Sequence, residues 1–205
     1  LKKVRKALLQ RKPAMPEPDF SAEIFTKDPE QDLSVVFAEN FVGTKGEFIY
    51  CEDEADFENS LSGLAKSRGL EKIFVREEVL KKMLSKAKIP FSDSEDDFLS
   101  CNIGITSCES LVARTGSLIV SSKNASGRRL GIYPPVHIVI AYTSQIVEDI
   151  KDGLSAIRKK YEGAMPSMIS LVTGPSRTSD IEKTLVMGAH GPQELILFLI
   201  DDTSH

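Results

Sequence analysis

The segment Glu194-Leu195-Ile196-Leu197-Phe198-Leu199-Ile200 is apolar at every position after Glu194. A strand with one face in water alternates apolar and polar residues, whereas an unbroken apolar run is typical of a strand covered on both faces. Ile169–Val172 is nearly continuous in its apolar character, with Ser170 as its one polar residue, and the apolar run Val136–Tyr142 contains only one histidine, His137. These segments predict a buried, mostly parallel sheet with helices on both of its faces.

Helical and strand patterns alternate along the rest of the chain. Apolar residues recur at helical spacing within 33–41, 57–65, 79–87 and 150–161. Short apolar runs that indicate strands lie at 48–51, 73–75, 103–105 and 117–121. Gly104 is expected to interrupt its strand, and Ser107–Ala113 is predicted to form a short helix. Such alternation is typical of βαβ units, so the predicted fold is a three-layer α/β/α sandwich.

The composition is that of a globular protein without metal or disulfide staples. The chain has 205 residues, 26 Lys and Arg against 30 Asp and Glu, a net charge of −4 and 41% hydrophobic residues. The lack of a basic excess argues against nucleic acid as a partner, and no apolar run approaches the ~20 residues of a membrane helix. The three cysteines, Cys51, Cys101 and Cys108, form no ligand motif, and only three histidines are present. We therefore expect no metal, no cofactor and a reducing, cytoplasmic location.

The first part of the chain is predicted to be a separate arm. The basic cluster Lys2–Lys12 has helical character, and Pro13, Pro16 and Pro18 follow it. We assign 1–28 to a helical arm with a proline-containing linker and 29–205 to a single α/β domain. The basic cluster is interpreted as a solvated helix face, with contact to an acidic partner as the alternative.

The segment Thr173-Gly174-Pro175-Ser176-Arg177-Thr178-Ser179-Asp180-Ile181-Glu182 directly follows the predicted strand at 169–172. Ligands of parallel α/β sheets bind beyond the carboxyl ends of the strands. A helix beginning at Ser179 or Asp180 would direct its backbone N–H groups towards an anion there. The segment is therefore a candidate anion site.

Arg177 offers the planar donor fork that carboxylate and phosphate groups favour. Ser176 and Thr178 add hydroxyl groups, and Asp180 either orders the arginine or caps the helix. The alternative is a purely local turn in which Arg177 pairs with Asp180 or Glu182.

A second segment, Gly188-Ala189-His190-Gly191-Pro192, precedes the last strand. Its glycines indicate a close approach of the backbone to another group. His190 is the candidate general acid or base, since loop histidines titrate near neutral pH, and the alternative is a histidine that only bonds a turn carbonyl. His137 is expected to be a buried, hydrogen-bonded histidine.

Arg128 and Arg129 are candidates to supplement Arg177 around an anion, with a solvated turn as the alternative. Because each lies on a loop next to a strand end, we expect Thr106, Arg128, Arg177 and His190 to converge at the carboxyl edge of the sheet.

Cys108 and Glu109 fall in the predicted short helix at Ser107–Ala113. Cys108 is interpreted as a buried, inert thiol and Glu109 as a helix-capping carboxylate. No nucleotide-binding, nucleophile-elbow or zinc-protease motif accompanies them.

The order of several motifs over 104–200 resembles the lactate-utilisation protein C family, whose domain is called the LUD domain. The matching elements are Gly104-Ile105-Thr106, Ala113-Arg114-Thr115-Gly116-Ser117-Leu118-Ile119-Val120, Gly127-Arg128-Arg129-Leu130, Pro135-Val136-His137-Ile138, 173–182 and 188–192. The resemblance implies a fold similar to the sugar-phosphate isomerase and CoA-transferase group. It also implies a role in oxidising L-lactate to pyruvate with two iron–sulfur partner proteins. Many members carry an acidic residue where Arg114 stands, and the resemblance transfers no catalytic residue.

Two functional hypotheses follow. The first is an accessory subunit of a cytoplasmic lactate-oxidising system that binds a small carboxylate or the iron–sulfur partners without its own redox centre. The alternative is an isomerase- or CoA-transferase-like enzyme acting on a phosphorylated or CoA-linked small molecule, which rests on analogy of fold. The sequence leaves open whether the protein catalyses a reaction.

Overall fold

Five parallel strands form the central sheet of the computed structural model, which describes residues 31–124, 128–178, 186–188 and 190–203. In spatial order they are β1 (Glu47–Cys51), β11 (Glu194–Ile200), β6 (Val136–Tyr142), β3 (Ile103–Ser107) and β2 (Ile73–Val75). Every neighbouring pair in this sheet is parallel. The predicted α/β class with a mostly parallel sheet is therefore confirmed.

A second sheet, which the sequence analysis does not predict, packs against the first. Its spatial order is β7 (Ile146–Val147), β4 (Ser110–Val112), β5 (Ser117–Ser121) and β8 (Ile169–Val172). Strand β5 is antiparallel to both of its neighbours, and β4 is parallel to β7.

The short helix predicted at Ser107–Ala113 is wrong, because this region holds β4 and then a 3₁₀ turn, Ala113–Thr115. Leu111 and Val112 are both fully buried in different core clusters, so successive side chains are covered on opposite faces. Period-two burial of this kind requires a strand.

The placement of Ile169–Val172 in the buried parallel sheet is also wrong. The segment is the terminal strand of the second sheet, where it pairs only with β5 among the described residues. Leu171 is 45% exposed there. An apolar run alone therefore did not distinguish a terminal strand from a central one.

Five described helices surround the sheets: α1 (Leu33–Gly43), α2 (Glu54–Arg68), α3 (Glu78–Lys86), α4 (Glu95–Phe98) and α5 (Ile150–Lys160). Asp32, Asp53 and Asp149 accept backbone N–H bonds at the first turns of α1, α2 and α5. Gly69 ends α2 in the left-handed conformation, as its position predicts. Helix α4 begins within the acidic stretch 92–97, for which the sequence patterns predict neither a helix nor a strand. No described helix has the length and apolar character needed to cross a membrane.

The two faces of the central sheet are covered differently. On one face, Phe57 and Leu61 of α2 and Leu84 of α3 pack against the sheet. On the other, Phe37 and Phe41 of α1 pack together with residues of the second sheet. Helix α5 closes the far side of the second sheet, where Ile157, Val112 and Ile119 share a core cluster.

Strand β3 continues through Gly104, contrary to the predicted interruption. A Cβ atom at Gly104 would lie 2.8 Å from Leu130 Cδ1 and 2.9 Å from Pro134 Cγ. Gly104 therefore does not break the strand. Its lack of a side chain lets the loop that leads into β6 pack closely against the sheet.

Strands β9 (Arg177–Thr178) and β10 (Val186–Met187) form a small antiparallel pair. The predicted helix start at Ser179 or Asp180 lies outside the described residues. The predicted arm at 1–28 and its boundary also lie outside them, and both stay predictions.

Gly116 is the position where the second sheet meets α1. It has φ +57°, and a Cβ atom there would lie 2.7 Å from the carbonyl oxygen of Asn40 and closer still to the backbone nitrogen of Phe41. Asn40 Nδ2 also donates to the carbonyl oxygen of Ala113 at 2.9 Å. The close approach of α1 to this turn therefore requires glycine.

We expect Gly116→Ala to lower the free energy of unfolding by about 3 kcal/mol, because the backbone clash adds to the left-handed strain. Gly163→Ala is the matched control, since Gly163 has φ +76° but nothing within 4 Å of its Cβ position. That variant should cost only about 1 kcal/mol. Urea unfolding of the two variants measures the difference, and equal losses would contradict the role assigned to Gly116.

Candidate functional site

A cavity of about 430 Å³ opens where the loops leading into β6 and β11 meet. Its lining residues are Arg128, Arg129, Ile132, Tyr133, Gly188, His190 and Gly191. Backbone bonds join the loops: Gln193 N donates to the carbonyl oxygen of Pro135 at 2.7 Å, and Ser176 N donates to that of Pro192 at 2.8 Å. Gly188 N donates to the carbonyl oxygen of Ser176 at 2.9 Å.

The cavity lies at the amino ends of the central strands, so the predicted carboxyl-edge location is wrong. Arg128 and Arg129 precede β6, and His190 precedes β11, which is the parallel neighbour of β6. Loops that lead into parallel strands meet at their amino edge. At the opposite edge, the Glu77 carboxylate accepts bonds from the backbone nitrogen of Ser107 at 2.9 Å and from its hydroxyl group.

Arg128 and Arg129 give the cavity its positive charge. Arg128 Nη2 donates to Ser167 Oγ at 2.7 Å, and the Arg129 guanidinium lies 4.3 Å from the centroid of the Phe98 ring. Within the described part of the chain, neither arginine pairs with a carboxylate. Two guanidinium groups without a carboxylate partner among the described residues, in a concave site, are suited to a carboxylate or phosphate ligand.

His190, the candidate acid or base, is exposed and lines the cavity. The glycines beside it leave room for neighbouring side chains, because a Cβ at Gly191 would lie 3.1 Å from Ser176 Cβ. Gly188 has φ +76°, and a Cβ there would collide with the side chain of Gln193. The close approach predicted for these glycines is thus an approach to neighbouring protein segments.

The remaining residues of the 173–182 segment are placed only in part. Ser176 is half-buried beside Gly191, and its backbone bonds connect it to the cavity wall. Arg177 lies in β9, where it is exposed and outside the cavity lining. The side chain of Thr178 and the whole of Asp180 lie outside the described residues, so their proposed roles remain predictions.

Thr106 is buried in the sheet rather than exposed in the cavity. Its Oγ1 lies 2.8 Å from Nε2 of His137, so the hydrogen-bonded partner predicted for this histidine is present. Nδ1 of His137 has no partner among the described residues. Burial lowers the pKa of His137 to about 4. The ring lies beneath the cavity wall, because a Cβ at Gly131 would be 3.3 Å from its Cε1 atom.

Three cavity features escape the sequence analysis. Tyr133 lies in an irregular stretch before Pro134, and its hydroxyl group donates to the carbonyl oxygen of Leu99 at 3.1 Å. Ser167 and Phe98, which contact the two arginines, are distant in sequence from them. The one available signal in the sequence was that Tyr133, an aromatic residue, follows the basic pair Arg128 and Arg129 by a few positions.

Arg114 has a structural role. Its Nε and Nη2 donate to the two carboxylate oxygens of Asp149 at 3.1 and 3.0 Å. The guanidinium holds the pKa of Asp149 below its ordinary value. Because Asp149 also caps α5, the pair fastens that helix to the turn after β4.

The carboxylate of Glu109 does not cap a helix, since none begins there. It accepts bonds from Ser121 Oγ at 2.6 Å, Lys160 Nζ at 2.8 Å and the Tyr161 hydroxyl at 2.9 Å. Burial alone would raise the pKa of Glu109, but these donors together lower it. Cys108 is buried as predicted, and burial raises the pKa of its thiol.

Comparisons with a family model and with known proteins point to the same family. The family model of the LUD domain matches residues 35–200. Over 103 residues, the chain is 33% identical to Lactate utilization protein C of Geobacillus kaustophilus and 35% identical to that of Bacillus subtilis. Each match covers 49% of this chain and 43% of the relative, so it spans less than half of the relative's length.

The fold is also found in a solved structure. A DUF162 family protein from Deinococcus radiodurans superposes with a TM-score of 0.58 at 18% identity, covering 82% of this chain and 96% of that one. At this identity the likeness concerns the fold.

The buried imidazole of His137 makes stability depend on pH. The unfolded chain takes up a proton at this residue below its ordinary pKa of about 6.5, whereas the folded chain does so only near 4. Its contribution to stability is therefore complete above about pH 6.5 and is lost as the pH falls towards 4, by at most about 3 kcal/mol.

Urea unfolding between pH 7 and pH 4.5 measures this effect. The wild type should lose more stability over that interval than His137→Gln, which lacks this buried imidazole. The matched control is His190→Gln, which replaces an exposed histidine in the same way. Parallel curves for the wild type and His137→Gln would contradict the prediction.

Proposed function

Because the chain belongs to the LUD domain family, and its relatives include proteins named Lactate utilization protein C, we propose that it is an accessory subunit of a cytoplasmic L-lactate utilisation system. Its task there is to bind a small carboxylate. The observation that carries the proposal is the cavity in which Arg128 and Arg129 stand without a carboxylate partner among the described residues.

The chemistry of lactate and pyruvate suits this cavity. Both are small carboxylates, and a planar guanidinium forms parallel hydrogen bonds with a carboxylate. A volume of about 430 Å³ is within the range of small-metabolite sites. Ile132 offers an apolar contact for the methyl group, and His190 is the proposed acid or base near the hydroxyl or keto group.

Oxidation of lactate also requires an electron acceptor. The described residues bring together no group of His, Cys, Asp and Glu side chains that could hold a metal ion, and the three cysteines are buried and unpaired. In our proposal the acceptors of the two electrons are iron–sulfur partner proteins, which the chain binds. The family resemblance supports this assignment.

An isomerase- or transferase-like enzyme acting on a phosphorylated substrate is the competing function. The same guanidinium groups suit a phosphate, so the cavity alone does not separate the two. The identity of the ligand separates the two functions, since a lactate-utilisation subunit must bind a carboxylate that carries no phosphate group.

We expect calorimetry to detect binding of L-lactate or pyruvate to the wild type. Arg128→Gln and Arg129→Gln should each weaken binding about ten- to a hundredfold, because each removes a charge-assisted hydrogen bond of about 1.5–3 kcal/mol. Arg158→Gln, on an exposed site of α5, is the matched control and should leave the affinity unchanged.

Two outcomes would contradict this assignment. Binding of inorganic phosphate or a sugar phosphate but of neither carboxylate would favour the enzyme alternative. Unchanged affinity in both Arg128→Gln and Arg129→Gln would remove the cavity from the proposal.

The accessory role has its own test. Lactate-dependent reduction of an artificial electron acceptor should be absent for the purified chain and present after addition of the proposed iron–sulfur partner proteins. Arg129→Gln should lower the rate of the reconstituted system at subsaturating lactate. Reduction of the acceptor by the purified chain alone would show that it is no accessory subunit.

A further inference from the structure

Among the described residues, Arg129 is held in place by an aromatic ring and not by an acid. Its guanidinium lies 4.3 Å from the centroid of Phe98, close enough for a cation–π contact. The guanidinium groups of Arg68, Arg76 and Arg114 instead form ion pairs with carboxylates. Arg129 is therefore restrained without being neutralised by a described side chain.

The ring that holds Arg129 is itself fixed. Phe98 is 2% exposed, and the Phe74 ring meets it edge-on with centroids 5.2 Å apart. Tyr133, a residue of the cavity wall, lies against it at 5.1 Å. The hydroxyl group of Tyr133 donates to the carbonyl oxygen of Leu99, the residue after Phe98.

A second arginine, Arg76, also lies near the Phe98 ring but has an acid partner. Its guanidinium is 5.8 Å from the Phe98 centroid and 5.5 Å from that of Phe74, and it pairs with Glu95 of α4, the short helix that also carries Phe98. The charge of Arg76 is therefore balanced by a carboxylate of α4. Arg129 approaches the ring more closely and has no acid partner in the described part of the chain.

This difference has a physical consequence for an anion site. A carboxylate could also fix the direction of a guanidinium, but it would compete with an anionic ligand for the same hydrogen-bond donors. An aromatic face fixes the guanidinium plane and leaves its N–H edge free for a ligand.

We propose that Phe98 is a positioning residue of the anion site: it orients Arg129 towards a carboxylate ligand while leaving the arginine charge available. This inference rests on the proposed function, because it assumes that the cavity binds a small carboxylate. Phe98 does not line the cavity but contacts two residues that do, Arg129 and Tyr133, and the proposal assigns its effect to Arg129.

The test measures the Kd of L-lactate and pyruvate by calorimetry in Phe98→Leu, well below its melting temperature. We expect affinity to fall about three- to tenfold, in keeping with the strength of a cation–π contact. Phe57→Leu is the matched control, since Phe57 is a fully buried ring that packs edge-on against Phe198 at 5.3 Å. Both variants should melt at lower temperature, but only Phe98→Leu should bind more weakly.

A double mutant separates positioning from general loosening of the fold. If Phe98 acts through Arg129, Phe98→Leu should have no further effect on Kd in the Arg129→Gln background. Arg129→Lys covers the case in which Phe98→Leu does not fold, because it keeps the charge but loses the planar group that stacks on the ring. It should weaken binding to a similar extent.

The outcomes distinguish this inference from the function on which it rests. If Arg129→Gln weakens binding but Phe98→Leu binds like the wild type, only the positioning role is overturned. If Phe98→Leu does not fold, wild-type affinity in Arg129→Lys has the same meaning. An additional loss of affinity for Phe98→Leu in the Arg129→Gln background overturns it as well. Failure of the wild type to bind either carboxylate overturns both proposals.

Discussion

Strands β6 and β11 are buried on both faces along most of their length, and the other layers keep water from those faces. Leu195, Leu197 and Leu199 point towards α1 and the second sheet, whereas Ile196 and Phe198 point towards α2 and α3. Each such side chain contributes about 1.5–3 kcal/mol only if its covering layer is present. Because the two strands are parallel neighbours, the loops that enter them must also lie side by side, and the candidate cavity is formed by those loops.

The features that full burial imposes could be predicted from the sequence. Glu194–Ile200 and Val136–Tyr142 have long apolar runs because neither face tolerates a polar side chain without a partner, and His137 meets this condition through Thr106. The second sheet could not be predicted in the same way. Ser110–Val112 is too short for its period to be measured, and three of the four residues of Ile169–Val172 are apolar although Leu171 is 45% exposed.

The candidate site was predictable in its residues but not in its position. The basic pair and the histidine loop were recognised from their residue types, and three of these side chains, Arg128, Arg129 and His190, line one cavity. The carboxyl edge was predicted because β8 was assigned to the parallel sheet, which would have placed the following loop at that edge. The position of each loop relative to its strand indicates the correct edge of the sheet. Arg128 and His190 both precede the strands beside which they lie, and loops that precede parallel strands lie at the amino edge. The contact between Arg129 and Phe98 joins distant segments and leaves no local pattern.

An anion site in a chain with a net charge of −4 depends on how charges are paired locally. At physiological ionic strength, interactions between exposed charges are largely screened beyond ~8 Å, so distant carboxylates have little effect on a ligand in the cavity. The carboxylates that matter are those that touch the arginines. In the part of the chain that the structure describes, Arg68, Arg76 and Arg114 each have such a partner, whereas Arg128 contacts a hydroxyl group and Arg129 an aromatic ring. Because these described partners are neutral, they leave the charge of both arginines in the cavity of an acidic protein.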